Sequence, residues 1–297
     1  MPYPFVLVEA QALTLLLAAW PLLLIAVLAK KKKISIALAA VVLVHLYWGL
    51  EWLPNLASAD GPRNSGFRVV AANLLAMRPS EPFAEELAGM HADVLVLEEL
   101  SAEWESLLRA RHVFDSFPHR ALEAHPVADD NFGLGVVSRY PILEQERIAF
   151  GEARYPLWRV DLDVRGKRVR LYAVHTVPPV SDRFASLQYR QHDILIARLL
   201  NDVANPEVNV VVAAGDFNAT PSSYSYRRYR DIGLVAAHEA ANHAFATTWP
   251  NGTAPLPPIR IDHVFVHGAG VHAVREGRGE GSDHAPVIAD LIIPPAE

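Results

Sequence analysis

The chain has 297 residues, 51% of them hydrophobic, a formal net charge of −6 and no cysteine, with a sequence pI near 6.1. That length holds one large domain and a short additional segment. The acidic balance excludes a protein that coats nucleic acid through a basic surface, though not a nuclease whose metal supplies positive charge locally. The absence of cysteine excludes disulfide frameworks, thiolate zinc sites and cysteine nucleophiles.

The hydrophobic excess lies at the N-terminus. Ala10 to Ala29 is an uncharged run of 20 residues, long enough at about 1.5 Å per residue to cross a bilayer, with a kink expected at Pro21. Lys30, Lys31, Lys32 and Lys33 follow, then a second apolar run from Ile34 to Leu50. Residues 1–53 therefore predict a transmembrane helical hairpin; one span plus an interfacial or buried helix is the alternative. Basic residues near span ends stay cytoplasmic, so the N-terminus and everything after Trp52 are expected outside the cytoplasm. Tyr47, Trp48 and Trp52 then fall at the outer headgroup level. The first run lacks a basic leader, which argues against a cleaved signal peptide. Pro54 to Gly66 (PNLASADGPRNSG) is a polar, turn-rich linker.

From Phe67 to the end, residues 67–297, short β-branched runs alternate with turns and amphipathic helices. Strands are expected at Phe67–Ala72, Asp93–Leu97, Phe132–Val137, Val208–Ala214, Ile261–Val266 and Ala285–Leu291. A hairpin is expected from Trp158–Val164 and Val169–Val174 around Arg165-Gly166-Lys167. Helices are expected at Glu81–Met90, Ser186–Val203 and Tyr224–Ile232. The mixture lacks strict strand–helix alternation, which favours sheet packed on sheet with helices outside.

Polar residues close these strands in a recurring way. Asn73 follows the first strand and Glu99 the second, and His175 ends the hairpin. Gly215-Asp216-Phe217-Asn218 follows the apolar run VNVVVAA, Asp262 stands in Arg260-Ile261-Asp262-His263, and Asp283 and His284 stand in Gly281-Ser282-Asp283-His284. Carboxylates held at strand ends suit a hard divalent cation and a phosphate. A histidine beside a fixing carboxylate suits proton transfer.

These motifs, in this order, resemble the endonuclease/exonuclease/phosphatase superfamily, the group of DNase I, abasic-site endonucleases and neutral sphingomyelinases. The resemblance spans roughly residues 67 to 293. It implies an α/β (α+β) four-layer sandwich, two packed mixed β-sheets flanked by helices, with the site at one sheet edge. It implies Glu99 as the principal Mg²⁺ ligand, with Asn73 and Asp283 nearby and Mn²⁺ as an alternative ion. Asp262 and His284 become a carboxylate–histidine pair, and Asp216, Asn218 and His175 surround the scissile phosphate. The division of labour between Asp216 and the histidine pair stays open. Glu98 stands where many members have glutamine, adding charge beside Glu99. His175 is closer to the DNase I and sphingomyelinase branches than to the abasic-site enzymes.

The expected function is a membrane-anchored, metal-dependent phosphodiesterase acting outside the cytoplasm. Its partners would be the bilayer and a phosphodiester substrate, nucleic acid or lipid headgroup, with no obligate protein partner evident. Arg227, Arg228 and Arg230 are candidates for a nuclease's basic groove. The competing class is a non-catalytic binding protein that retains the fold.

Overall fold

Along Val69-Val70-Ala71-Ala72, Val94-Leu95-Val96-Leu97 and Val210-Val211-Val212-Ala213, successive residues enter different hydrophobic cores. A strand alternates its side chains between two faces, so a continuous apolar run marks a strand covered on both. In the computed structural model, which describes residues 11, 16–50, 66–126, 132–150, 153–252 and 257–295, these runs are central strands of two mixed six-stranded sheets.

The first sheet has the order β11-β12-β1-β2-β4-β3, with β1 Gly66–Asn73, β2 Val94–Glu98, β3 His119–Glu123, β4 Leu134–Ser138, β11 Gly270–Glu276 and β12 Val287–Ile292. The second has the order β5-β6-β7-β8-β10-β9, with β5 Ile142–Phe150, β6 Ala153–Val164, β7 Lys167–His175, β8 Val210–Asp216, β9 Val235–Ala236 and β10 Asp262–His267. Val69, Ala71, Val94 and Val96 meet Val160, Leu171, Val210 and Val212 between the sheets.

Helices cover both outer faces. Phe83 and Leu87 of α3 (Glu81–Gly89) and Trp104 and Leu108 of α4 (Ala102–Ala110) pack on the first sheet. Leu195 and Leu199 of α5 (Asp182–Val203) and Tyr226 and Tyr229 of α6 (Tyr224–Asp231) pack on the second. A short α7 (Ala237–Ala240) follows. Ser80, Ser101, Ser181 and Ser223 each accept the backbone N–H three residues on, capping α3 to α6. The cap at Ser181 starts α5 before the expected Ser186. The β6–β7 hairpin closes through Arg165 and Gly166, both at positive φ of 57° and 80°, the geometry that matches strand twist. Strands β3, β5, β9 and β11 and helices α4 and α7 match no expected element; all four strands are sheet edges, where short length or polar residues mask the period.

The N-terminal expectation needs correction. Two helices do pair, α1 (Ala19–Leu28) and α2 (Lys32–Leu50), seamed at Ala19, Ala26 and Val42 and bridged where Trp20 Nε1 donates to His45 Nδ1 at 3.0 Å. Among the described residues no helix is long and apolar enough to cross a membrane. The 10 residues of α1 rise only about 15 Å, half of a hydrocarbon core. Residues 1–10, 12–15 and 51–65, which include part of the first expected span, Trp52 and nearly all of the linker, lie outside the described residues.

Candidate active site

The two sheets deliver the polar residues to one edge. In the second sheet, parallel β7 and β8 set His175 opposite Asp216, and antiparallel β8 and β10 set Asp216 opposite Asp262. Three functional side chains thus stand side by side on adjacent strands. In the first sheet, parallel β1 and β2 set Asn73 opposite Glu98. Strand β2 runs one residue past the expected Leu97, to Glu98, and Glu99 turns away at φ 55°. That left-handed step is what re-aims Glu99 from the sheet face into the site.

Hydrogen bonds join the two halves. Asn73 Nδ2 donates to Glu99 Oε1 at 3.4 Å and to Asp216 Oδ2 at 3.3 Å. The backbone N–H of Ala76 donates to Glu99 Oε2 at 3.1 Å. Asn218 folds back on Asp216: its N–H donates to Oδ1 at 2.8 Å and its Nδ2 to Oδ2 at 3.2 Å. Asn218 itself is held by Thr176 O at 2.9 Å and by Gln188 Nε2 at 2.6 Å. His284 Nδ1 lies 2.9 Å from Asp262 Oδ2, and its Nε2 is 3.9 Å from Asp216 Oδ2. His175 Nε2 is 3.8 Å from the same Asp216 oxygen and 4.0 Å from Glu99 Oε1. Asp216 is therefore the hub of the cluster, flanked by both histidines.

Burial sets the charge states. It pushes His175 down to about 3, with His284 adding repulsion, so His175 is neutral. His284 is also penalised by burial, but Asp262 beside it outweighs that penalty and raises it to about 10. Asp216 is raised by burial and then by Asp262, and Glu99 is raised by burial. A cation bound among these carboxylates would lower their proton affinity, as a nearby opposite charge does. The donor set of carboxylate and amide oxygens is hard, which fits Mg²⁺ or Mn²⁺. Ligand atoms of Asp216, Asp262 and His284 all lie within 4.8 Å of one another, the one grouping among the described residues that could hold an ion. Asn73 and Glu99 face it from the other sheet.

Glu98 overturns the expectation of added charge. It is fully buried, and neither carboxyl oxygen has a hydrogen-bond partner among the described residues. Burial, then Asp262 and Asp216, raise it well above the ordinary carboxylate range. That burial favours the neutral acid, which has the shape and charge of glutamine. Gly215 makes the room: a Cβ there would meet Glu98 Oε1 at 2.7 Å and Val174 O at 2.0 Å.

Residues absent from the sequence expectations hold the last loop. Trp249 Nε1 donates to Asp283 Oδ2 at 3.0 Å, and the Asn251 N–H donates to Asp283 O at 2.7 Å. Thr248 Oγ1 accepts the N–H groups of Ile261 and Asp262 at 3.1 and 3.2 Å. Segment 248–251 thus ties Asp262 to the Asp283–His284 loop; no spacing in the sequence signals that long-range role. The candidates for a basic groove each have a partner within the protein: Arg228 pairs with Asp193, Arg230 lies 3.4 Å from Glu239, and Arg227 donates to Ser222 O at 2.8 Å.

Comparison with known proteins agrees with the family and the fold. The family model described as Endonuclease/Exonuclease/phosphatase family matches residues 70–284. No curated protein matches the chain. Among solved structures, truncated Caenorhabditis elegans TDP2 is similar at TM-score 0.61 and 16% identity, covering 77% of this chain and 98% of that one. An endonuclease/exonuclease/phosphatase from Beutenbergia cavernae is similar at TM-score 0.61 and 20% identity, covering 77% and 72%. D. rerio TDP2 complexed with a single-strand DNA product is similar at TM-score 0.60 and 17% identity, covering 76% and 99%. At these identities the likeness is one of fold.

Proposed function

The chain belongs to the endonuclease/exonuclease/phosphatase family, and from that membership we propose that its strand-end cluster hydrolyses phosphodiesters with a hard divalent cation, Mg²⁺ or Mn²⁺. The observation that carries this reading is Asp216, held between His175 and His284 and bonded by Asn73 and Asn218. Glu99, Asn73 and Asp283 would hold the cation. When bound, it supplies Lewis acidity at the phosphoryl oxygen.

The protein's own groups divide the remaining work. Asp216, raised by burial, is suited to take a proton from the attacking water, because a base works best with its affinity near the working pH. His284, kept protonated by Asp262, donates Nε2–H to a nonbridging oxygen and offsets charge developing there. Neutral His175 offers a further N–H donor, while the Asn218 amide, bonded to Thr176 O and to Asp216, holds Asp216 in place. Asp262 fixes the His284 tautomer and charge.

Nucleic acid is the substrate we favour. D. rerio TDP2 is seen with a single-strand DNA product. In this chain half-buried Tyr155 and Phe132 stand beside His175, with ring centroids 4.8 Å and 4.7 Å apart in sequence from His175 outward. Such rings can stack bases. A lipid headgroup is the second reading, favoured by the exposed apolar side chains of α1 and α2. We further propose that the hairpin attaches the enzyme to a membrane, with residues 67–297 outside the cytoplasm.

Hydrolysis of bis-p-nitrophenyl phosphate, DNA, RNA, sphingomyelin and phosphatidylinositol, each with Mg²⁺ and with EDTA, tests this. Activity is expected only with the metal, and Glu99→Ala should lose most of it while its circular dichroism stays native. Full turnover in excess EDTA would sink the metal reading. Metal-binding without hydrolysis of any diester would favour a non-catalytic binding protein.

A further inference from the structure

A groove of about 650 Å³ runs along one side of the α1–α2 hairpin, lined by Leu23 and Val27 of α1, Lys30 of the turn, and Lys32, Ile36 and Ala39 of α2, beside Ser35. From Leu23 to Lys30 it extends about 10 Å along the helix. Its floor is apolar and its end is cationic. Among the described residues nothing covers the apolar hairpin around it: Leu24, Ile25, Leu28 and Ile36 are each 60% exposed or more. A helix of that character is stable only when something covers it.

Charge says what covers it. Residues 16–50 contain no aspartate or glutamate. Among the described residues none of Lys30 to Lys33 makes an ion pair. A second copy docked turn to turn would oppose lysines to lysines, which is repulsive. An anionic amphiphile matches both features.

The turn adds an independent observation. Lys30 closes α1 at φ 54°. Its N–H donates to Val27 O and that of Lys31 to Ala26 O, both at 2.9 Å. This is the helix-ending pattern that ordinarily places glycine at the left-handed position. A long cationic side chain stands where glycine would be less strained.

We propose that this groove binds an anionic phospholipid, its headgroup on Lys30 and Lys32 and its acyl chain along Leu23, Val27, Ile36 and Ala39. The proposal does not require either helix to cross the bilayer. It also stands apart from the hydrolytic reading, since binding is read without turnover.

The test uses the full chain, diluted from detergent onto phosphatidylcholine vesicles with or without phosphatidylglycerol, and measures co-flotation. Tighter binding to the phosphatidylglycerol vesicles is expected. Lys30→Gln with Lys32→Gln should weaken it roughly 30-fold, from the usual attraction of two lysines at an anionic surface. Lys30→Gly relieves the backbone strain, so its loss of binding should come with unchanged or raised helix stability by circular dichroism. Ala39→Phe fills the groove without altering charge and should also weaken binding. Equal binding to neutral vesicles would overturn the proposal. So would an undiminished Ala39→Phe, or a Lys31→Gln/Lys33→Gln pair as weak as the groove pair, since either leaves only diffuse adsorption. A stable dimer that fails to bind vesicles would assign the groove to a second copy and overturn it as well.

Discussion

His284 and Asp262 are two separate residues in the sequence but one unit in the site, with Nδ1 to Oδ2 at 2.9 Å. Asp262→Asn and His284→Ala should each lower turnover by orders of magnitude, and the double variant should cost little more than the worse single, because groups acting together are non-additive. Losses that multiply fully would mean that the two act independently. The same pair makes a pH prediction. His284 is raised from 6.5 to about 10 in the folded protein, so its contribution to stability is fully present below about pH 6.5 and is lost as pH rises through about 10. Urea unfolding of metal-free protein in EDTA should show the midpoint falling across that window, and His284→Gln should flatten the fall. An unchanged slope in the variant would assign the alkaline loss to other groups. At this scale Asp216, Asn218, Asp262 and His284 were all legible, because each sits in a short motif after or before an apolar strand. The raised proton affinity of Glu98 was not: it follows from total burial, with Asp262 and Asp216 adding to it, and burial of one side chain depends on strands far away in the chain.

Strand β8 couples element to site. It lies between β7 and β10, so any shift of one residue would move Asp216 off both His175 and Asp262 and turn its apolar residues to the wrong faces. Gly215 is the tightest point of that strand. It has φ 137°, and a Cβ would run into Val174 O and Glu98 Oε1. Gly215→Ala should therefore destabilise the domain by about 3 kcal/mol or more, as a strained overpacked core position does, measurable as a lower denaturation midpoint. A near-native midpoint would show that β7 and β8 can part there without cost. The central strands were legible from their runs of valine, leucine and alanine. The edge strands β3, β5, β9 and β11 were not, because an edge needs few apolar side chains and carries polar ones between them, as β5 does with Glu144, Gln145, Glu146 and Arg147 in succession.

For the whole molecule the open question is where the catalytic domain sits relative to a membrane. The proposed placement outside the cytoplasm needs both apolar runs to cross around a cytoplasmic four-lysine turn, a crossing that no helix among the described residues is long and apolar enough to make. Alkaline phosphatase fused after Glu297 should be active, and a reporter that works only in the cytoplasm should be silent there; the opposite pattern would overturn the placement. A chain beginning at Gly66 should be released without detergent and still hydrolyse soluble diesters, because every residue of the site lies between Asn73 and His284 and both sheets are complete without the hairpin.

By itself the sequence determined the kind of chemistry and the order of its carriers. Residue type and the apolar run beside it are local, and local properties survive in one dimension. Which carriers touch was decided by tertiary structure. Asn73 and Asp216 are 143 positions apart, and only the stacking of one sheet on the other brings them into hydrogen-bond range. The same holds for the bracket from Thr248 to Asn251 and for the charge states. Burial and neighbouring charge set protonation, and both come from chain segments that are distant in sequence and adjacent only once the sheets have packed.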